Sequence, residues 1–145
     1  MNLKIGLIDV DGHHFPNLCL MKLSAYHKAR GDTVEWHDGR KKYDLVYMSR
    51  VFTDTYTKDF TGGIHADCII KGGTGYGLKN KLEEEVEHSY PDYGLYSQFS
   101  DTAYGFLSRG CPRGCGFCIV GEKEGRKTEA VADSDRSCLR SFPVF

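Results

Sequence analysis

Lys4-Ile5-Gly6-Leu7-Ile8-Asp9-Val10, closed by Asp11-Gly12, is a short apolar run bounded by turn residues. That is the pattern of a strand buried on both faces of a parallel sheet. Pro16-Asn17 follows, then a helical stretch from Leu18 to Arg30, with Asn17 suited to the N-cap and Gly31 to the C′ position. Leu18, Met21 and Ala25 recur at i, i+3 and i+7 with Cys19, Leu23 and Tyr26 beside them, so the helix offers one broad apolar face. Thr33-Val34-Glu35-Trp36 alternates like a second strand, Tyr43 to Met48 reads as a third, and Asp67 to Lys71 as a fourth. Residues 79–88, carrying Glu83, Glu84, Glu85 and Glu87, read as an exposed acidic helix with a solvated face. Strands alternating with helices predict an α/β fold built on an open parallel sheet.

The chain of 145 residues is near one typical domain, and 40% hydrophobic against 27% charged residues is enough to bury a core. A net charge of −1 without a concentrated basic face gives no support for nucleic-acid binding. No stretch approaches the roughly 18 apolar residues needed to cross a membrane. The N-terminus turns acidic too soon for a secretory signal, so the expected compartment is the cytoplasm. There the six cysteines favour metal binding or free thiols over disulfides.

Composition divides the chain into an α/β domain over residues 1–88, a Pro/Gly/Tyr/Ser-rich linker over 89–101 and a second unit over 102–145. The second unit is expected to open with a strand at Ala103-Tyr104-Gly105-Phe106-Leu107. The loop Cys111-Pro112-Arg113-Gly114-Cys115-Gly116-Phe117-Cys118 follows, with C-x3-C-x2-C spacing. Three thiols in one short loop can wrap an inorganic cluster, because iron–sulfide clusters are held by cysteine thiolates. Three protein ligands leave one iron open, which is how a metal site keeps a position for substrate. Gly110, Gly114 and Gly116 let the backbone turn sharply, and Pro112 stiffens the loop. Arg109 and Arg113 put positive charge beside the thiolates, and Phe117 is an aromatic next to the last cysteine. Besides a mostly buried, inert trio without metal, two other readings stay open. In one, Cys138 completes a four-cysteine zinc site and the chain is a small zinc-stabilised interaction module. In the other, the chain is a cluster-carrying electron-transfer protein.

The cysteine loop, its preceding apolar run and Phe117 resemble the cluster loop of the radical S-adenosylmethionine (radical SAM) superfamily. The resemblance implies a 4Fe–4S cluster held by Cys111, Cys115 and Cys118, S-adenosylmethionine chelated at the open iron, and Phe117 near its adenine. It further implies reductive cleavage of S-adenosylmethionine to start radical chemistry, with electrons from a donor such as a flavodoxin or ferredoxin. It covers about residues 1–132: residues 1–88 look like the cobalamin-binding-type Rossmann-like domain that often precedes the barrel in this superfamily, and residues 102–145 look like the start of a (β/α)6 barrel. Six strand–helix units need on the order of 200 residues, scaling from the eight-unit barrel. The chain is therefore expected to be a truncated radical SAM protein with impaired catalysis, one that holds the cluster but binds S-adenosylmethionine weakly or not at all.

Two further segments fall at the carboxyl edge of the predicted sheet, where α/β domains bind ligands. Lys71-Gly72-Gly73-Thr74-Gly75-Tyr76-Gly77, between the fourth strand and the acidic helix, either presents backbone amides to an anion or makes a tight strand-to-helix turn. It also resembles the Gly-Gly turn of cobalamin-type domains. Asp9-Val10-Asp11-Gly12-His13-His14 offers His13 or His14 as a ligand to a metal or to cobalamin, or residues that cap the helix. Pro16 stands where the cobalamin motif Asp-x-His-x-x-Gly has its glycine.

Overall fold

The computed structural model describes residues 1–12, 15–99 and 101–131. His13, His14 and Cys138 lie outside the described residues, and with them the cobalamin-ligand and zinc-completing expectations. The chain divides after Phe99 into two compact units.

The first unit is α/β. Its elements are β1 (Lys4–Asp9), α1 (Leu18–Ala29), β2 (Thr33–Trp36), β3 (Lys42–Ser49), β4 (His65–Gly72), α2 (Glu84–Glu87) and a kinked 3-10 segment over Tyr93–Phe99. All pairings are parallel and the strand order is β2-β1-β3-β4, as in a Rossmann-like sheet. β1 sits inside, with Ile5, Leu7 and Ile8 buried, which is why its sequence reads as a continuous apolar run. On one side, Ile5 and Leu7 pack with Leu20 and Leu23 of α1 and with Val86 of α2. A second cluster gathers Ile8, Tyr43, Val46 and Met48.

α1 is held at both ends. Asn17 Oδ1 accepts from the Leu20 amide at 3.2 Å, and Asn17 Nδ2 donates to Ser49 Oγ at 2.8 Å. One residue thus caps the helix and ties its start to the end of β3. At the other end, Gly31 N donates to Lys28 O and Asp32 N to His27 O, both at 3.0 Å, the bond pair of a Schellman stop.

Three local expectations change. The acidic helix over 79–88 is a single turn, Glu84–Glu87, whose Val86 is buried in the core. A run of carboxylates repels itself along a helix face, and packing of the one apolar side chain holds the turn in place. Residues 89–99, read as part of a linker, are docked: Asp92 N donates to Met21 O at 3.0 Å, and Trp36 Nε1 donates to Leu95 O at 3.3 Å. The strand expected at 103–107 is absent. In its place the second unit has a two-residue strand β5 (Ser108–Arg109) paired antiparallel with β6 (Glu129–Ala130), and a short helix α3 (Val120–Lys123) between them.

Candidate functional site

The cysteine loop is built between β5 and α3, and the segment 124–127 straps its base. Arg109 Nη1 is 2.7 Å from Glu124 Oε1, the Gly110 amide donates to Glu124 Oε2 at 3.3 Å, and the Cys111 amide donates to Gly125 O at 3.2 Å. Gly110 has φ +85, and a Cβ there would stand 1.9 Å from Lys127 O. Only glycine allows the strap this close. Within the loop, the Cys118 amide donates to Cys115 O at 3.1 Å, so the last two cysteines share one turn.

Cys115 and Cys118 are exposed, Cys111 is half-buried, and none is in a disulfide. Among the described residues no three His, Cys, Asp or Glu side chains are set to hold a metal ion, so the loop does not present the three cysteines as a preformed trio. The donor set nevertheless suits a cluster: three soft thiols, exposed or half-buried, on one loop with Gly114 at φ +63. Site assembly that waits for the metal is usual for small thiolate sites, because the ligands must be deprotonated and gathered together.

Phe117 is 92% exposed, so it projects from the loop. Arg109, expected to neutralise thiolates, is drawn to Glu124 and stacks 4.4 Å from the Phe106 ring centroid. Arg126, to which sequence reasoning gave no role, lies across the loop: a Cβ on Gly114 would meet its Nη1 at 2.5 Å, and one on Gly121 its Cγ at 3.6 Å. The signal for it was the pair of glycines facing one long side chain, and such a pairing is visible only after folding.

At the carboxyl edge of the parallel sheet, the glycine-rich loop turns three of its amides inward. Gly75 N donates to Arg50 O at 2.8 Å, and Tyr76 N and Gly77 N to Gly73 O at 3.3 Å. Gly73 has φ +95, and a Cβ there would stand 2.3 Å from Arg50 O. These glycines serve a tight backbone crossing that occupies the amides of Gly75, Tyr76 and Gly77, and no helix starts until Glu84. Arg50 is nearly enclosed, donating to Asp54, to Gly75 O at 2.9 Å and to Thr57 O at 3.5 Å, with its guanidinium 4.5 Å from the Tyr76 ring centroid. Tyr76 OH donates to Asp59, and burial together with that carboxylate pushes its pKa well above the usual phenol range. The Asp11 carboxylate accepts from the Val51 and Phe52 amides. Asp9 accepts from Gly12 N at 3.2 Å and from Tyr96 OH. Among the described residues, these carboxylates, Arg50 and the two tyrosines are bonded to one another and to the backbone at this edge.

The first unit is thus an α/β domain with a four-stranded parallel sheet, and the second carries a strapped three-cysteine loop. No protein-family model matches the chain, and neither the curated proteins nor the solved structures contain a match to it. Among the described residues no helix is long and apolar enough to cross a membrane.

Proposed function

We propose that this chain is a radical SAM protein that takes up a 4Fe–4S cluster through Cys111, Cys115 and Cys118. The observation that carries the reading is the three-thiol loop itself, exposed or half-buried, free of disulfides and strapped at its base by Glu124 and Gly125. On this reading the second unit begins a radical SAM barrel, and the first is a Rossmann-like domain of the kind that precedes it. When bound, the cluster would supply the electron that cleaves S-adenosylmethionine. The chain's own residues then have three tasks. The thiolates ligate three irons and leave the fourth open. The strap orients the loop, and Arg126 brings positive charge against it. Phe117, already exposed, offers a ring face to the adenine. The working compartment is the reducing cytoplasm, with a flavodoxin or ferredoxin as electron donor.

The test is anaerobic reconstitution of the full chain with iron and sulfide. The expected product is brown and holds about four irons per chain, and Cys111→Ser, Cys115→Ser or Cys118→Ser each abolishes it. S-adenosylmethionine is then added to the reduced protein: a changed electron paramagnetic resonance signal supports its binding at the cluster, and an unchanged signal from a fully loaded cluster overturns the S-adenosylmethionine assignment. A colourless protein retaining one zinc overturns the cluster.

A further inference from the structure

β4 is the outer strand of the sheet, and among the described residues no strand pairs with its far edge. It is also bare on its faces: Asp67, Cys68, Ile69, Ile70 and Lys71 are all exposed, with Ile69 and Ile70 at 43% and 44%. An edge strand of eight residues with adjacent isoleucines exposes unpaired N–H and C=O groups beside apolar surface, and proteins normally block such an edge. β4 has no proline, and among the described residues of the first unit no helix is packed on it. What it has is a charge pattern, Asp67-Cys68-Ile69-Ile70-Lys71, that is complementary to its own reverse.

We propose that β4 is the seam of a homodimer in which two copies join edge to edge, antiparallel, about a twofold axis at Ile69. In that register Asp67 of each copy faces Lys71 of the other, so the opposite-charge pair forms twice. Ile69 faces Ile69 across the axis. On the other face, Cys68 of each copy packs against Ile70 of the other. A twofold interface requires this self-complementarity, in which residue i meets j and j meets i. Cross-strand pairs of opposite charge and of apolar side chains stabilise an antiparallel ladder, whereas like charges directly opposite destabilise it. Within one copy both charges are exposed: Lys42 is 2.8 Å from Asp67, and Lys71 is 3.1 Å from Asp59 and 5.2 Å from the Tyr76 ring centroid, so both can share a second partner. The two four-stranded sheets become one continuous sheet, and each exposed isoleucine gains an apolar neighbour across the seam.

The experiment is sedimentation velocity of the full chain over a range of concentrations, with two charge variants. The wild type should show a concentration-dependent dimer. Lys71→Glu sets carboxylates opposite each other at two places and should weaken association by about tenfold. The double variant Asp67→Lys with Lys71→Glu reverses both charges and should restore it. The double variant also loses the pairs to Asp59 and Lys42 within each copy, so recovery reports the contact between copies. As a check of register, Ile69→Cys in a Cys68→Ser background should oxidise to a covalent dimer that Cys68→Ser alone does not form under the same conditions. A wild type that stays monomeric at every concentration overturns the seam, as does a dimer indifferent to Lys71→Glu or one that the charge reversal does not rescue.

Discussion

Tyr96 OH donates to Asp9 Oδ2 at 2.5 Å, joining residues 87 apart in sequence. Asp9 ends the central strand, and Tyr96 sits at the kink of the 3-10 segment, with φ −124 and ψ 66. The Tyr96 ring packs edge-on against Trp36 at 5.1 Å. Burial and the neighbouring carboxylate push the Tyr96 pKa far above the ordinary phenol range, so the hydroxyl stays a donor at any working pH. This bond and its neighbours convert residues 89–99 from a connector into part of the first unit.

Tyr96→Phe keeps the ring and removes the hydroxyl. Hydrogen bonds to charged groups contribute about 1.5–3 kcal/mol, so urea denaturation should show a loss of that order. The slope should be unchanged, because the same surface is exposed on unfolding. A midpoint equal to wild type would show that the contact contributes nothing to stability.

Asp92 fastens the same segment to α1, with Oδ2 2.7 Å from Ser24 Oγ and 2.6 Å from Lys28 Nζ. Burial works against its charge, but these donors, led by Lys28, outweigh it and hold the carboxyl below its usual pKa. A depressed carboxyl stabilises the fold above its unfolded value, about pH 3.9. That contribution is lost as pH falls through the lowered folded value. Stability of the wild type should therefore drop on acidification below about pH 4. Asp92→Asn should be less stable at pH 7 and should show a shallower decline, measured by denaturant titration at each pH.

Gly110→Ala would drive a methyl into Lys127 O, 1.9 Å from the Cβ position, at φ +85. A side chain forced into such a conformation costs on the order of 1–3 kcal/mol. Here the cost falls on the strap beneath the cysteines. The expected outcome is reduced iron uptake with a first unit that melts as in wild type, since the substitution lies in the second unit. Full iron uptake would show that the strap does not organise the loop.

Much of the first unit was legible in the sequence, and the reason is local. Ile5, Leu7 and Ile8 are apolar in a row because β1 is covered on both faces. Asn17 and Gly31 mark the ends of α1 because capping depends on a residue and its near neighbours. The same reasoning misjudged 79–88 and 89–99. Acidic or Pro/Gly-rich composition signals exposure on average, yet Val86 is buried and Asp92 is bonded to α1 across 68 and 64 residues. It also placed the strand of the second unit too early: β5 is set by the position of β6, which composition does not encode.

By itself the sequence determined the α/β class, the ends of its main helix and the C-x3-C-x2-C spacing, since periodicity, caps and motif intervals belong to contiguous residues. The tertiary structure alone decided that the glycine-rich turn spends three of its amides on Arg50 and Gly73, that Arg126 crosses the cysteine loop, and that β4 is left at the rim. Those facts depend on which distant segments meet, and a burial or a crossing has no meaning until the chain has closed on itself.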